Sequence, residues 1–254
     1  MTGFGAFVGK ELAEILRTWR IWVVPGMILF FGITSPMMAL AAPALVSSIA
    51  GSQPGVTIQI PDAVARDAYL QFVKNLDQIV TFALIIAGAG SISGERRSGT
   101  AQLVLTKPLS RAGFVLAKLV SQELLLLVSL VVGSAACVLM TAVLFDGDSP
   151  GWLFAAVGWW LGFGVLVVAL MTLFSVWFSS TGGAAGAGLA FFFVTLILRA
   201  WDPVASRSFV GLPAAAYAAA GGQPVFAGLP LATAGLGFLL VVSVALASFR
   251  RAEL

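Results

Sequence analysis

Long stretches without a charged side chain are the feature that most constrains this sequence. Residues 21–61, 78–94, 124–145, 149–198 and 208–249 contain no Asp, Glu, Lys or Arg. Hydrophobic residues make up 59% of the chain and charged residues only 10%, whereas a typical soluble domain has about 25% charged residues. So few charges cannot cover the surface of a soluble protein, so we expect the chain to lie in a lipid bilayer.

The lengths of these stretches predict the number of membrane spans. One helical span needs about 20 apolar residues, because it crosses about 30 Å of hydrocarbon at about 1.5 Å per residue. The stretch 149–198 exceeds one span, and the run Ser179–Gly183 is rich in turn residues. The sequence predicts an all-α integral membrane protein, a single domain over residues 1–254. Its six spans are expected at residues 21–43, 70–93, 115–145, 152–178, 184–200 and 228–249.

Two segments outside the spans have their own patterns. Residues 4–19 place apolar side chains at helical spacing, with Lys10, Glu11, Glu14 and Arg17 on other faces. We expect an amphipathic helix along the inner membrane surface, with a bend near Pro25; the alternative is a simple extension of the first span. Residues 201–227 are apolar but interrupted by Pro and Gly, which fits either a segment that re-enters the outer leaflet or an ordinary outer loop.

The placement of Lys and Arg predicts the orientation. If both termini are cytoplasmic, ten of the 14 Lys and Arg residues lie on the inner side and four on the outer side. The positive-inside rule therefore favours a multi-pass protein of the cytoplasmic membrane with both termini inside.

Composition excludes several functions. The chain has no His and one Cys, which rules out a His-dependent triad, His-ligated zinc and an internal disulfide. Gly9-Lys10 lacks the rest of a phosphate-binding loop, since Phe4 and Glu11 stand where that motif requires Gly and Ser or Thr. We therefore expect no catalytic, metal or cofactor site in this chain, and no dense basic block indicates nucleic-acid binding.

The most informative segment joins the second and third spans: residues 94–118, GERRSGTAQLVLTKPLSRAGFVLAK. It resembles the corresponding segment of type-2 ABC transporter permeases, the membrane subunits of ABC exporters. Arg96, Arg97, Ala101 and Gln102 depart from that pattern, because family members often carry acids there. The residues that match are Glu95, Gly99, Thr100, Leu103, Leu105, Thr106, Pro108, Ser110, Arg111 and Lys118.

The resemblance implies that residues 94–111 form a coupling helix against a separate ATP-binding subunit. Glu95, Arg96 and Arg97 would pair with that subunit, and Gly99 would allow close backbone approach. Leu103 and Leu105 would fill apolar pockets, while Pro108 would stiffen the joint to the third span. Thr100 and Arg111 complete the implied contact set.

The resemblance also implies an assembly of two permease chains, identical or different, and two ATP-binding chains. ATP and Mg²⁺ would be bound by the ATP-binding chains and not by this one. The substrate would be amphipathic or hydrophobic, because the span centres carry no charge, and its path and identity stay open.

Three alternatives remain at the level of sequence. An ion-gradient-driven secondary transporter usually has ionisable groups inside its spans. Here we place Lys74 and Asp77, and Arg199, at outer helix ends, and Glu123 near an inner end, where it pairs with Lys118 or reaches the interface. A membrane enzyme would have to use the Asp146–Asp148 pair, which turn chemistry already explains. A non-transporting regulatory subunit is the third.

Overall fold

The computed structural model describes residues 2–18, 20–50, 61–99, 110–146 and 149–251, and in that part of the chain every regular element is helical. Six segments are long and apolar enough to cross a membrane, which confirms the prediction of an all-α protein with six spans. They are Ile21–Ser48, Ala65–Arg97, Arg111–Leu144, Gly151–Trp177, Thr181–Arg199 and Gly228–Arg251.

The helices are numbered here in chain order. They are α1 (Thr2–Arg17), α2 (Arg20–Ala50), α3 (Ala65–Asn75), α4 (Thr81–Ala89), α5 (Ser93–Arg97), α6 (Arg111–Leu144), α7 (Gly151–Trp177), α8 (Thr181–Arg199), α9 (Asp202–Ala205), α10 (Leu212–Ala220) and α11 (Gly228–Arg251). A π-helical turn, Leu76–Val80, joins α3 to α4, and a 3₁₀ turn, Phe209–Gly211, precedes α10.

The first span is one continuous helix. The break between α1 and the first span lies before Pro25, because α1 ends at Arg17 and α2 starts at Arg20. Pro25, Pro36 and Pro43 all lie inside α2. Each removes one backbone donor, and α2 packs against α6.

The second span begins earlier than the predicted residue 70. Helix α3 starts at Ala65, where Asp67 Oδ2 accepts the N–H of Val64 at 2.9 Å. Asp77 was expected at the outer end of this span. It instead lies 12 residues inside, which corresponds to about 18 Å along a helix, and it is buried within the π-helical turn.

Helix α7 forms the centre of the core. It packs against α4, α6, α8, α10 and α11, and Trp160 and Phe163 on it are fully buried. A helix that is apolar on every side is expected to be surrounded by protein. At Met171, α7 lies so close to Gly88 and Gly188 that a Cβ at either glycine would collide with the methionine side chain. These two glycines let α4 and α8 approach α7.

Glycines spaced four residues apart, at positions 158 and 162 and at 182 and 186, contribute unevenly to helix packing. Gly162 lies under Leu212 and Leu231, whereas a Cβ at Gly158, Gly182 or Gly186 would meet nothing within 4 Å. The tightest helix crossing was not predicted. There α2 meets α6, and a Cβ on Gly32 would collide with the carbonyl oxygen of Gly133.

The segment after the fifth span is covered by other helices. Helix α10 packs against α3 and α7, and most of its residues are buried. It begins beside Gly162, which is 11 residues inside α7 or about 16 Å along that helix. It ends near Gly222, which contacts the Arg66 guanidinium at the start of α3. The segment therefore starts deep between the spans and returns toward the end of the bundle opposite the termini.

Helix α1 lies in the predicted amphipathic segment, but the face it buries differs from the prediction. Ile15 is 4% exposed as expected, yet Glu11, placed on a solvent face by its charge, is only 3% exposed. Both pack toward α6. The reason is an ion pair that the sequence pattern does not reveal.

Candidate functional site

Three helices meet at a buried lysine at the end of the bundle that holds the termini. Lys118 on α6 is 2% exposed, and its Nζ lies 2.8 Å from Glu11 Oε2 on α1 and 2.5 Å from Glu95 Oε1 on α5. One ammonium therefore binds two carboxylates from different elements. It joins the N-terminal helix, the start of the predicted coupling segment and the third span. We call Lys118, Glu11 and Glu95 the charge cluster.

The charge cluster extends to the surface through α1. Lys10 Nζ lies 3.1 Å from Glu11 Oε1 and 2.7 Å from Glu14 Oε2, and its side chain is 43% exposed. Burial by itself would lower the pKa of Lys10, but hydrogen bonds from its ammonium to Glu14 and Glu11 outweigh burial, and the pKa lies above its ordinary value. A chain of alternating charges thus runs from solvent to Lys118.

Aromatic rings lie beneath the charge cluster. Lys118 Nζ is 5.1 Å from the centre of the Phe114 ring, which is within the range of a cation–π contact. Phe114 stacks on Phe249 of α11 at 5.5 Å and contacts Phe7 of α1 at 5.7 Å. The first and last helices therefore pack on the same ring that supports Lys118.

A metal ion is a poor fit to this arrangement. Carboxylate oxygens of Glu11, Glu14 and Glu95 lie within 4.8 Å of one another, a spacing that also suits a cation. However, the ammonium of Lys118 already binds two of these groups and that of Lys10 binds the third. The donor set is that of an ion-pair network.

The predicted coupling residues separate into inward and outward groups. Glu95 binds Lys118, and Arg96 Nη1 donates to the carbonyl oxygen of Val176 at 3.0 Å. The expectation that both pair with a partner subunit is therefore at odds with the geometry, since each is engaged within this chain. Arg97 is exposed and Gly99 has a φ of +74°, a left-handed conformation that glycine adopts without strain.

The other predicted coupling residues lie either at the start of α6 or outside the described part of the chain. Arg111 Nη1 donates to the carbonyl oxygen of Arg250 at 3.1 Å, so the start of α6 lies beside the end of α11. Thr100, Leu103, Leu105 and Pro108 lie outside the described residues, as does Asp148.

A serine in the fourth span anchors the start of the coupling segment, and sequence reasoning missed it. Ser175 Oγ accepts the N–H groups of Ile92 at 2.9 Å and Ser93 at 3.0 Å, and donates to the carbonyl oxygen of Ala89 at 3.0 Å. These groups belong to the break between α4 and α5, where helical hydrogen bonding is interrupted. No sequence signal distinguishes Ser175 from other hydroxyls in apolar runs.

Glu123 was predicted either to pair with Lys118 or to reach the interface, and it does neither. Lys118 binds Glu11 and Glu95 instead, and both Glu123 carboxylate oxygens are buried with no hydrogen-bond partner in the described part of the chain. Residues five apart do not share a helix face, because helical neighbours are three or four residues apart.

A second buried ion pair lies deep among the spans. Arg199 Nη1, at the end of α8, is 2.7 Å from Asp77 Oδ2 and 3.0 Å from Oδ1, and the two side chains are 13% and 5% exposed. The guanidinium also lies 5.0 Å from the centre of the Phe163 ring. Its Nε and Nη2 are buried without a hydrogen-bond acceptor among the residues that the structure describes. Arg199 lies at the end of its helix, as predicted, whereas Asp77 was predicted at an outer helix end and lies inside the bundle.

The chain matches one family model and several known proteins. The model of the ABC-2 family transporter proteins matches residues 6–209. The uncharacterized transmembrane protein YxlG of Bacillus subtilis (strain 168) is 20% identical over 184 residues, which cover 72% of this chain and 71% of that protein.

Two further relatives are described as probable ABC transporter permease protein NosY. That of Stutzerimonas stutzeri is 33% identical over 150 residues, 59% of this chain and 49% of that protein. That of Pseudomonas aeruginosa is 29% identical over 197 residues, 74% of this chain and 65% of that protein. The chain thus matches about half of the former and just under two thirds of the latter.

Proposed function

Because the chain belongs to the ABC-2 family of transporter proteins, we propose that it is the permease subunit of an ABC exporter. It moves an amphipathic or hydrophobic substrate outward with energy from ATP hydrolysis. The ATP and Mg²⁺ are bound by a separate ATP-binding subunit, present in two copies beside two permease chains. The observation that carries the coupling part of the proposal is the buried bridge from Lys118 to Glu11 and Glu95.

The charge cluster suits a coupling role because of what it joins. Glu95 starts the segment proposed to contact the ATP-binding subunit, and Lys118 lies on the helix that follows this segment. Glu11 adds the N-terminal helix to the same point. A displacement of the coupling segment therefore moves α1, α5 and α6 together, because separating buried opposite charges costs several kcal/mol, about 3–5 by analogy with other buried pairs.

Within this proposal the outward-facing contacts are those that the chain leaves exposed. Arg97 points to solvent, and Gly99 adopts a left-handed turn that a larger side chain disfavours. We assign the partner contact to these residues and to the segment up to Arg111. Glu95 and Arg96 hold the segment to the bundle.

Orientation follows from charge and from packing. The helix ends at Arg111 and Arg250 lie together, and the charge cluster lies near the same end. This end carries most of the Lys and Arg residues, which supports a cytoplasmic position for both termini in the cytoplasmic membrane. The opposite end of the bundle, where α3 begins at Ala65, then faces outward.

Reconstitution tests the proposal directly. The chain is co-expressed with a candidate ABC ATP-binding protein from the same organism, purified, and placed in lipid vesicles. We expect the two proteins to co-purify, and ATP to drive accumulation of a hydrophobic dye in inside-out vesicles. Substitution of the phosphate-loop lysine of the partner should abolish accumulation. Dye accumulation that needs no partner and no ATP would contradict the proposal.

Two variants test the proposed contact. Arg97→Glu and Gly99→Trp should weaken co-purification while the permease remains folded, since Arg97 is exposed and a Cβ at Gly99 would meet nothing within 4 Å. Arg207→Glu is the matched control, because Arg207 is exposed after α9, far from the coupling segment. Undiminished co-purification of both test variants would contradict the contact assignment.

A second candidate is an ion-gradient-driven transporter, and one observation favours it. Ionisable groups inside spans usually serve transport, and Asp77, Arg199 and Glu123 all lie within the helical bundle. The same vesicles distinguish the two. Dye accumulation driven by an imposed proton gradient without ATP favours this candidate, whereas accumulation that requires ATP favours the exporter.

A further inference from the structure

A cavity of about 560 Å³ lies at the end of the bundle opposite the termini, between α2, α3 and α10. Small-molecule sites commonly have volumes of about 300–1,000 Å³, so this cavity is large enough for one drug-sized molecule. It is separate from the charge cluster, which is formed by α1, α5 and α6 at the other end of the bundle.

One wall of the cavity is apolar. It is formed by the last turns of α2, where Met38, Ala39, Ala42, Pro43 and Val46 line the space. Most of these side chains are small, and Met38 is flexible. Flexible side chains of this kind adapt to ligands of varied shape.

The opposite wall is polar and carries an ordered series of charges. Asp62, Asp67, Gln71 and Lys74 line it along α3 and the residues before it, and Tyr217 of α10 closes one side. Asp67 and Lys74 are seven residues apart on one helix, so they are separated by about 10 Å along its axis. The two acids therefore lie toward the open end and the lysine lies deeper.

The deep end is closed by a hydrogen bond between the two walls. Asn75 Nδ2 donates to Ser35 Oγ at 2.9 Å, and both side chains are buried. The bond holds α2 and α3 together one turn below Met38 and one residue past Lys74. The cavity is thus a wedge that opens away from the termini.

We propose that this wedge binds an amphipathic organic cation. The apolar part lies along the α2 wall, and the cationic centre lies near Asp62 and Asp67. These carboxylates attract the cation by charge. Lys74, at the far end of the polar wall, opposes a cation there and so sets which way round the molecule binds.

This inference names a substrate class for the proposed exporter and to that extent rests on the proposed function. Binding itself is measured on the permease alone, without ATP or an ATP-binding subunit. Failure of binding therefore leaves the proposed function standing, and failure of ATP-driven transport leaves the binding result standing.

The test uses two probes of equal shape and opposite charge, tetraphenylphosphonium and tetraphenylborate. Each is equilibrated by dialysis against nanodiscs of zwitterionic lipid with and without the full-length permease, and the lipid contribution is subtracted. We expect saturable binding of tetraphenylphosphonium and none of tetraphenylborate. Equal binding of both probes, or saturable binding of the anion alone, overturns the proposal.

Variants locate the bound cation. Ala42→Trp fills the wedge from its apolar wall and should abolish saturable binding, whereas Leu240→Trp, on an exposed face of α11, should not change it. Asp62→Asn with Asp67→Asn should weaken binding on the order of fivefold. Asn at position 67 keeps an oxygen to cap α3, and Asp202→Asn on exposed α9 is the charge control. Unchanged binding in both cavity variants would place the cation elsewhere and overturn the assignment.

Discussion

Two buried ion-pair sites in the described part of the chain solve the same electrostatic problem differently. The Asp77–Arg199 pair joins two spans deep in the bundle, and two guanidinium nitrogens there have no acceptor among the described residues. The charge cluster around Lys118 joins three elements near the termini, and Lys10 connects it to solvent. The first site cannot rearrange without leaving a charge in an apolar surrounding. The second has three carboxylates and two lysines, so its members can exchange partners.

This difference indicates different roles. A deep pair with no substitute partner fixes the relative positions of the second and fifth spans, which is a structural role. A cluster that can exchange partners tolerates movement of α1 and α5, as a coupling site requires. Substitutions that remove one charge or one anchor at a time distinguish a fixed site from a movable one.

The largest effect is expected at Asp77. Asp77→Ala leaves the Arg199 guanidinium buried without its counterion, which should cost about 3–5 kcal/mol of stability. Thermal unfolding in nanodiscs, followed by tryptophan fluorescence, measures the loss. The double variant Asp77→Leu with Arg199→Leu should recover most of it, since both charges are gone. A double variant as unstable as the single one would show that the ion pair is not what position 77 contributes.

At Lys118 we expect a smaller loss of stability than at Asp77, but a larger loss of coupling to the ATP-binding subunit. Lys118→Met leaves Glu11 and Glu95 close together, but Lys10 remains beside Glu11, so we expect about 2–3 kcal/mol. Stimulation of the partner's ATPase activity by substrate should disappear. Lys118→Arg keeps the charge and should retain stimulation. Normal stimulation in Lys118→Met would remove the charge cluster from the coupling pathway.

The sequence predicted the spans better than the charge sites, for a physical reason. Spans are local: an uncharged run long enough to cross a bilayer is visible in any window. The early start of α3 was missed because spans were placed by their charge-free runs and Arg66 and Asp67 are charged, while the contacts that bury Ala65, Ala68 and Tyr69 come from other helices.

The charge cluster could not be read from local patterns. Lys118 and Glu11 are 107 positions apart, and Lys118 and Glu95 are 23 apart. The matched motif contained Glu95 and Lys118 without indicating that they touch. On α1 the only available signal of a buried ion pair was the acidic residue Glu11. Charge alone places such a residue on the solvent side.

A moderate effect is expected at the anchor beside the charge cluster. Ser175→Ala removes the acceptor of two backbone N–H groups, and an unsatisfied buried donor costs about 1–3 kcal/mol. Stability should fall by that amount, and hydrogen exchange at Ile92 and Ser93 should accelerate. Ser243→Ala on exposed α11 is the control. Unchanged exchange at both amides would show that Ser175 does not hold the break between α4 and α5.

The smallest effect is expected at Lys10, where the cluster meets solvent. Its side chain is 43% exposed, so Lys10→Gln should cost no more than about 0.5 kcal/mol and less in high salt. The pKa of Lys10 lies above its ordinary value of 10.5, so its contribution is complete below that pH and is lost as pH rises through the raised value. Thermal unfolding of wild type and Lys10→Gln should therefore differ slightly at neutral pH and converge in strong alkali. A loss at neutral pH as large as that of Lys118→Met would mean that Lys10 is an integral member of a fixed site, and the distinction between a fixed and a movable cluster would fail.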